Sequence, residues 1–140
     1  MLISDNGISR VWREGGWIYK RQPKHLTDNE WYALRVLYKT GYVPYAEKVD
    51  IETIRMEDLG ESESVTDAAA FMHHRAVVLQ ALKDYGLRHG DLTEYAIIVK
   101  NNKPMIIDWA ESRTFTDPRP DKRREGDAYW LDKTMRALCP

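Results

Sequence analysis

The sequence lacks the features of a secreted or membrane protein. It contains a single cysteine, Cys139, so no disulfide bond can form within the chain, which fits a reducing compartment. The first residues soon turn polar, and no stretch approaches the ~18 apolar residues that a transmembrane helix needs. These absences exclude a fold held by internal disulfides and predict a cytoplasmic protein with no signal peptide and no membrane span.

The sequence also lacks an excess of charge of either sign. It has 21 Lys and Arg residues against 22 Asp and Glu residues, a formal net charge of −1 at pH 7. Proteins that bind nucleic acid usually carry a basic excess, so this balance argues against nucleic acid as a direct ligand. With 43% hydrophobic and 31% charged residues, the 140-residue chain has the composition of a folded protein. Its length suits one domain with a single core or with two small packed lobes.

Short apolar runs separated by turn residues predict three groups of strands. Glu14-Gly15-Gly16 forms the first turn, and the polar run from Lys100 to Pro104 forms the turn of a later hairpin. The strands are expected at residues 8–13 and 17–20, twice within 46–57, and at 97–99 and 105–107.

Helical periodicity predicts three helices, at residues 27–39, 67–85 and about 126–138. Thr27 and Glu30 have the spacing of a capping box, in which Thr27 is the N-cap and Glu30 the third helical residue. Residues 112–124 are polar and are expected to form an exposed loop. Strands and helices therefore follow one another in the order of an α+β fold.

Two carboxylates that flank the predicted hairpin give the strongest chemical signal. Asp91 follows His89-Gly90 in the loop before the hairpin, and Asp108 follows its second strand. Because a hairpin brings the chain back to its start, we expect both carboxylates to lie close together at the open end of the hairpin. One carboxylate can orient an attacking hydroxyl and accept its proton, while the other holds a magnesium ion on the phosphates of a nucleotide. The pair therefore points to phosphoryl transfer.

These motifs resemble those of the protein-kinase-like superfamily, in particular the RIO kinases and the small kinase of the KEOPS tRNA-modification complex. The resemblance lies first in His89–Val99 (HGDLTEYAIIV) and Ile106–Ala110 (IIDWA), which are similar to the catalytic loop and the metal-binding motif. Upstream, Trp17–Lys20 resembles the third-strand lysine motif, and Met56–Gly60 resembles the hinge between two lobes. Asp127 stands where these minimal kinases begin their last helix. The ordered set covers nearly the whole chain.

The resemblance implies a minimal, bilobal protein-kinase-like fold that forms a single domain over residues 1–140. The N-terminal lobe, a small sheet with one helix, would cover about residues 1–57, the hinge about 57–61, and a reduced helical C-terminal lobe about 62–140. ATP and Mg²⁺ would bind between the lobes. The γ-phosphate would pass to an unknown protein or small-molecule acceptor, as in serine/threonine kinases, and a protein partner or a second copy of the chain could complete the structure.

The resemblance also implies a role for each matched residue at the phosphates. Lys20 would contact the ATP phosphates as a point charge, and Glu30 would hold it in place. The capping box is an equally good explanation of Glu30. Asp91 would be the catalytic base, and Asp108 would be the magnesium ligand.

The remaining matched residues would bind the adenine or support the catalytic loop. His89 and Asp127 would brace that loop from behind. Backbone groups of the hinge would meet the edge of the adenine, and apolar side chains would cover its faces. The predicted adenine-binding residues are Ile18, Met56, Glu57, Leu59, Ile98 and Ile107.

Three departures from the kinase pattern bear on activity. Ala96 stands five residues after Asp91, where kinases place an asparagine that binds a second metal ion, and Glu94 is a candidate replacement. Only Gly7 precedes the first predicted strand, so the glycine-rich phosphate loop is reduced. The 13 residues Glu111–Arg123 leave no room for a long activation segment.

Three functions remain open on the sequence. The leading one is an ATP- and magnesium-dependent phosphotransferase, with an ATPase as a variant. The substitution at Ala96 favours a nucleotide-binding pseudokinase that acts as an interaction module. The HGD and IDW motifs are also similar to those of the aminoglycoside phosphotransferases, which suggests a small-molecule kinase, although 140 residues leave little space for its substrate pocket.

Overall fold

An antiparallel sheet and one helix form the first half of the fold. The computed structural model describes all 140 residues of the chain. The helix, α1 (Lys24–Leu37), packs on the β4 and β5 side of the sheet. The five strands pair in the order β1-β2-β3-β5-β4. They are β1 (Leu2–Asp5), β2 (Arg10–Glu14), β3 (Trp17–Arg21), β4 (Ala46–Lys48) and β5 (Thr53–Glu57).

Two helices and two short ribbons form the second half. Helix α2 (Ala68–Asp84) packs against α3 (Asp127–Leu138) and against the second strand of the hairpin. No helix is both long and apolar enough to cross a membrane. The ribbons are a hairpin of β7 (Ile97–Lys100) and β8 (Lys103–Ile106), and a pair of β6 (Leu87–Arg88) and β9 (Arg113–Thr114).

Helix α1 begins four residues earlier than the capping box predicts. Pro23 is the N-cap residue, and its carbonyl accepts the N–H of Thr27 at 3.1 Å. Thr27 lies inside the helix, where its hydroxyl donates to the carbonyls of Gln22 and Glu52. The prediction of Thr27 as N-cap is therefore wrong, because the fixed φ of proline starts the helix before the Thr-x-x-Glu pattern.

Two further predictions of local structure need correction, and one strand of the sheet was not predicted. The hairpin turn has two residues, Asn101 and Asn102, both with positive φ, and not the five predicted. The segment 112–124 is not a wholly exposed loop, since Ser112 is buried and β9 pairs with β6. Strand β1 was not predicted, and it adds an edge to the sheet.

One apolar core runs through both halves. A cluster of 20 buried residues includes Leu34 and Ile54 from the first half and Phe71, Ile106 and Trp109 from the second. Trp109 is fully buried, and it directly follows Asp108 in the chain. The core therefore fixes the end of the hairpin relative to the sheet, which sets the position of the carboxylates predicted to act there.

Candidate active site

A cavity of about 210 Å³ lies between the sheet and the β7–β8 hairpin. Its lining includes all six residues that the sequence predicts for adenine binding: Ile18, Met56, Glu57, Leu59, Ile98 and Ile107. Six others also line it, namely Ile3, Val11, Arg13, Pro44, Asp58 and Gly60. The additional residues from β1 and β2 lie on strands whose sequences carry no nucleotide-binding motif, so only the sheet pairing reveals them.

Lys20, on β3, contacts both carboxylates that were predicted to act with it, Glu30 and Asp108. Its ammonium lies 3.0 Å from Glu30 Oε1 and 2.8 Å from Asp108 Oδ1. Burial opposes the charged form of Lys20, but the two carboxylates outweigh that effect and raise the pKa of Lys20 well above its ordinary value. Burial likewise opposes ionisation of Asp108, yet Lys20, with a smaller effect from Lys122, keeps the pKa of Asp108 below its ordinary value.

Glu30 is fully buried, and its carboxylate is completely paired. Oε1 accepts Gln22 Nε2 at 2.8 Å in addition to the Lys20 contact, and Oε2 accepts the backbone N–H of Trp109 at 2.9 Å. These contacts connect α1 to β3 and to the segment that carries Asp108. Since Glu30 lies well inside α1, a role at the helix end is excluded, and the pairing with Lys20 is the explanation that the structure supports.

The backbone conformation of Asp108 is unusual for a residue with a side chain. Its φ is +65°, in the left-handed region that few non-glycine residues adopt. The flanking residues are held by hydrogen bonds, because Ile107 N–H donates to the Ala96 carbonyl and Trp109 N–H donates to Glu30. The strained turn leaves the Asp108 side chain 45% exposed, with one oxygen on Lys20.

His89 connects the Asp91 loop to the end of the hairpin. Its ring is fully buried against Trp109, with the ring centroids 4.5 Å apart. Nδ1 accepts the backbone N–H of Asp91 at 3.1 Å, which assigns the proton to Nε2, and Nε2 then donates to the Ile107 carbonyl at 2.9 Å. One neutral ring therefore fixes the spacing between the loop that carries Asp91 and the residue before Asp108.

Asp127, at the start of α3, holds the same loop from the other side. Its two oxygens accept the backbone N–H groups of His89 at 2.7 Å and of Gly90 at 2.9 Å. Gly90 has φ +87°, and a Cβ there would lie 3.2 Å from the Glu111 carbonyl. A side chain at Gly90 would thus be strained as well as crowded, which explains the glycine in the HGD sequence.

Asp91 carries two cationic contacts that the sequence did not predict. Arg123 Nε lies 2.9 Å from Asp91 Oδ1, and Lys122 Nζ lies 3.5 Å from Oδ2. Both cations come from the segment between β9 and α3. In the sequence they belong to a charge run that has the appearance of a solvated surface, and a contact across 32 residues leaves no local pattern.

Glu94 and Ala96 are not positioned as metal ligands by any contact in the structure. Glu94 is exposed, and its side chain makes no hydrogen bond or ion pair that would hold it in place. Ala96 is buried in the core, and its carbonyl accepts from Ile107. The ligand that kinases place at this position therefore has no replacement that forms a group of three or more potential metal ligands.

The residues present fit a nucleotide with one magnesium ion better than a metal held by protein alone. No group of three or more His, Cys, Asp or Glu side chains could hold a metal ion. Magnesium usually binds through one or two carboxylates and the phosphates of its substrate, and the partly exposed Asp108 carboxylate meets that requirement. Lys20 and Asp108 lie beside an apolar cavity, the arrangement that a nucleotide with a flat base and charged phosphates needs.

Comparison with known proteins identifies relatives of this arrangement. The sequence model of the family described as RIO1, RIO domain, matches residues 18–129. No curated protein matches the sequence significantly.

Two solved structures of the Rio2 kinase from Chaetomium thermophilum share the fold. One is its ADP/Mg²⁺-phosphoaspartate complex, with a TM-score of 0.70 and 17% identity over 99% of this chain and 52% of the other. The second has a TM-score of 0.66 and 18% identity over 98% and 55%. The chain thus spans about half the length of these proteins, and the likeness confirms the predicted α+β, protein-kinase-like fold.

Proposed function

Because the chain belongs to the RIO family, we propose that it is an ATP- and magnesium-dependent phosphotransferase with its active site in the cleft beside the 210 Å³ cavity. The observation that carries this proposal is the convergence of Lys20, Asp91 and Asp108 from three distant segments. Lys20 contacts Asp108 directly, and His89 connects Asp91 to the residue before Asp108. Carboxylates and a lysine at the rim of an apolar cavity suit a phosphate chain attached to a base.

The cavity takes the adenine in this proposal. Ile18, Ile98 and Ile107 cover the two faces of the ring, while the edge meets the backbone of a hinge at about residues 57–61. The N–H of Glu57 donates to the Tyr45 carbonyl, so its carbonyl is the group offered to the base. The N–H of Leu59 makes no hydrogen bond and can donate to a ring nitrogen. The hinge divides an N-terminal lobe, about residues 1–57, from a C-terminal lobe, about 62–140.

Lys20 and Asp108 hold the phosphates. Magnesium bound by Asp108 would offset charge on the phosphate oxygens. Lys20, fixed by Glu30, contacts the phosphates as a point charge. Asp91 accepts the proton of the acceptor hydroxyl. At the same time the hydroxyl oxygen bonds to the γ-phosphorus, and the bond from phosphorus to ADP breaks. His89 and Asp127 keep Asp91 in place through the backbone of the loop.

The acceptor is a hydroxyl of a protein or of a small molecule, and water is the acceptor if the chain acts as an ATPase. The short segment after Asp108 offers little surface for a peptide. A protein partner or a second copy of the chain could supply the missing part of an acceptor site.

Turnover of labelled ATP with magnesium tests the proposal. The wild-type chain should release or transfer labelled phosphate, and Asp91→Asn should lower the rate by about 10²- to 10⁴-fold, the usual contribution of a positioned base. Asp108→Ala should abolish turnover. Asp84→Ala is the matched control, since Asp84 lies at the end of α2 and contacts only Gln80 among side chains. Equal rates in wild type, Asp91→Asn and Asp108→Ala would show that any turnover arises elsewhere.

A nucleotide-binding pseudokinase is the second candidate, and Ala96 favours it. Without the asparagine and without a nearby replacement, the chain could bind ATP and not transfer its phosphate. A rise in melting temperature with ATP and magnesium but no turnover would support this alternative. Gain of turnover in Ala96→Asn would then identify the missing ligand.

A further inference from the structure

Charged side chains of alternating sign cross the mouth of the proposed active site. Lys20 contacts Asp108 at 2.8 Å, Lys122 lies 3.5 Å from Asp91 Oδ2, and Arg123 lies 2.9 Å from Asp91 Oδ1. Lys122 and Arg123 therefore both face Asp91, one at each carboxylate oxygen.

Arg123 is held in this position by its own contacts. Its backbone N–H donates to the Gly90 carbonyl at 2.9 Å, beside Asp91. Its guanidinium lies over the ring of Trp130, 5.2 Å from the centroid. Arg124, the next residue, makes no side-chain hydrogen bond or ion pair. Arg123 is thus held by specific contacts, unlike a side chain in a solvated run of charges.

The two cations would oppose catalysis if they stayed on Asp91. The Arg123 N–H occupies one lone pair of Oδ1, and both positive charges favour the ionised carboxylate over the protonated form that a base must adopt. A nucleotide triphosphate carries enough negative charge to compete for Lys122 and Arg123. The site also lacks the side-chain oxygen at Ala96 that would help to bind a second metal ion, so additional positive charge is needed on this side of the phosphates.

We propose that Lys122 and Arg123 bind the terminal phosphate of the nucleotide and supply charge that a second metal ion supplies in kinases with asparagine at the Ala96 position. The inference deepens the proposed function and rests on it. As the two side chains engage the phosphate, they leave Asp91 free to accept the proton. They then offset the charge on the γ-phosphate oxygens while the acceptor oxygen bonds to phosphorus and ADP leaves.

Comparison of two nucleotides tests the inference without any turnover. Affinities for AMP-PNP and for ADP, each with magnesium, are measured by calorimetry for wild type and for Lys122→Gln/Arg123→Gln. The wild type should prefer AMP-PNP, and the double variant should lose about 10- to 100-fold of that preference with little change in ADP affinity, as expected for charge-assisted hydrogen bonds. Arg124→Gln removes the same charge one residue away and should keep the preference. Circular dichroism checks that each variant is folded, and the single variant Lys122→Gln should show a smaller loss.

The outcomes separate this inference from the proposed function. A wild-type chain that binds neither nucleotide refutes both. Two results would refute only the role of the two cations. The first is a wild-type chain that binds ADP but does not prefer AMP-PNP. The second is a double variant that keeps the preference for AMP-PNP or binds AMP-PNP more tightly than wild type. Electron paramagnetic resonance with Mn²⁺ gives a second test, because one ion per bound AMP-PNP is expected and two ions would overturn the substitution for a second metal.

Discussion

At the scale of single residues, Glu30 has two explanations in the sequence, and its contacts distinguish them. A capping box predicts a carboxylate near a helix end, whereas the structure places it in the core with Lys20, Gln22 and Trp109. The family resemblance suggested the Lys20 partner. The partners Gln22 and Trp109 could not be predicted, because one depends on where α1 begins and the other on a chain separation of 79 residues.

Replacement of Glu30 by glutamine should destabilise the protein by about 3 kcal/mol, as expected when one member of a buried ion pair is removed. The introduced amide would direct a donor at Lys20, Gln22 or the Trp109 N–H, all of which are donors themselves. Urea unfolding gives the free energy of unfolding. Glu14→Gln is the control, because Glu14 is exposed and its side chain has no partner, and it should change stability by less than about 0.5 kcal/mol. An equal loss in both variants would contradict the role of the Glu30 contacts.

At the scale of elements, the helices and most strands were predictable, whereas β1 and the two shortest strands were not. The periodicity of α2 and α3 places both helices within a residue or two of their observed bounds. Strands β6 and β9 have two residues each and form only through a pairing distant in sequence, so no alternation marks them. The hairpin was predicted, but with too long a turn, because the prediction assigned Pro104 to the turn, whereas Pro104 lies within β8 opposite Val99.

The β7–β8 turn yields a prediction at this scale. Asn102 has φ +59°, and its side-chain oxygen accepts the N–H groups of Thr66 and Asp67 at the start of α2. Asn102→Ala should cost about 2 kcal/mol of unfolding free energy, from the left-handed backbone and from the lost hydrogen bonds. Asn102→Gly removes only the hydrogen bonds and should cost about half as much. Urea unfolding measures each value.

Asn101→Gly is the matched control for the turn. Asn101 also has positive φ, but its side chain makes no hydrogen bond, so glycine should leave stability within about 0.5 kcal/mol of the wild type. If Asn102→Gly proved as stable as Asn101→Gly, the bonds between the hairpin and α2 would contribute nothing measurable.

At the scale of the whole molecule, the cavity depends on segments that no single motif connects. Ile3, Val11 and Ile18 reach it from three strands, Ile98 reaches it from β7, and Ile107 reaches it from the position directly after β8. Arg13 on β2 forms an ion pair with Asp58, with Arg13 Nε 2.5 Å from Asp58 Oδ2. This ion pair connects β2 to the segment that follows β5. The family resemblance predicted the cavity residues that lie in recognisable motifs. The order of the strands in the sheet adds the cavity residues that lie outside any motif. A ligand in this cavity must therefore contact both halves of the fold.

A ligand that bridges the two halves should stabilise them together. ATP with magnesium at about 100 times its dissociation constant should add about 2.7 kcal/mol to the free energy of unfolding, and so raise the melting temperature by about 5–10 °C. Ile98→Trp places a large ring in the cavity and should abolish this rise, whereas Ile51→Trp, at a residue that is 62% exposed and outside the cavity, should keep it. Hydrogen exchange should show protection by ATP in β2–β3 and in β7–β8 at once. Protection confined to one half, or a full thermal shift in Ile98→Trp, would place the nucleotide outside this cavity.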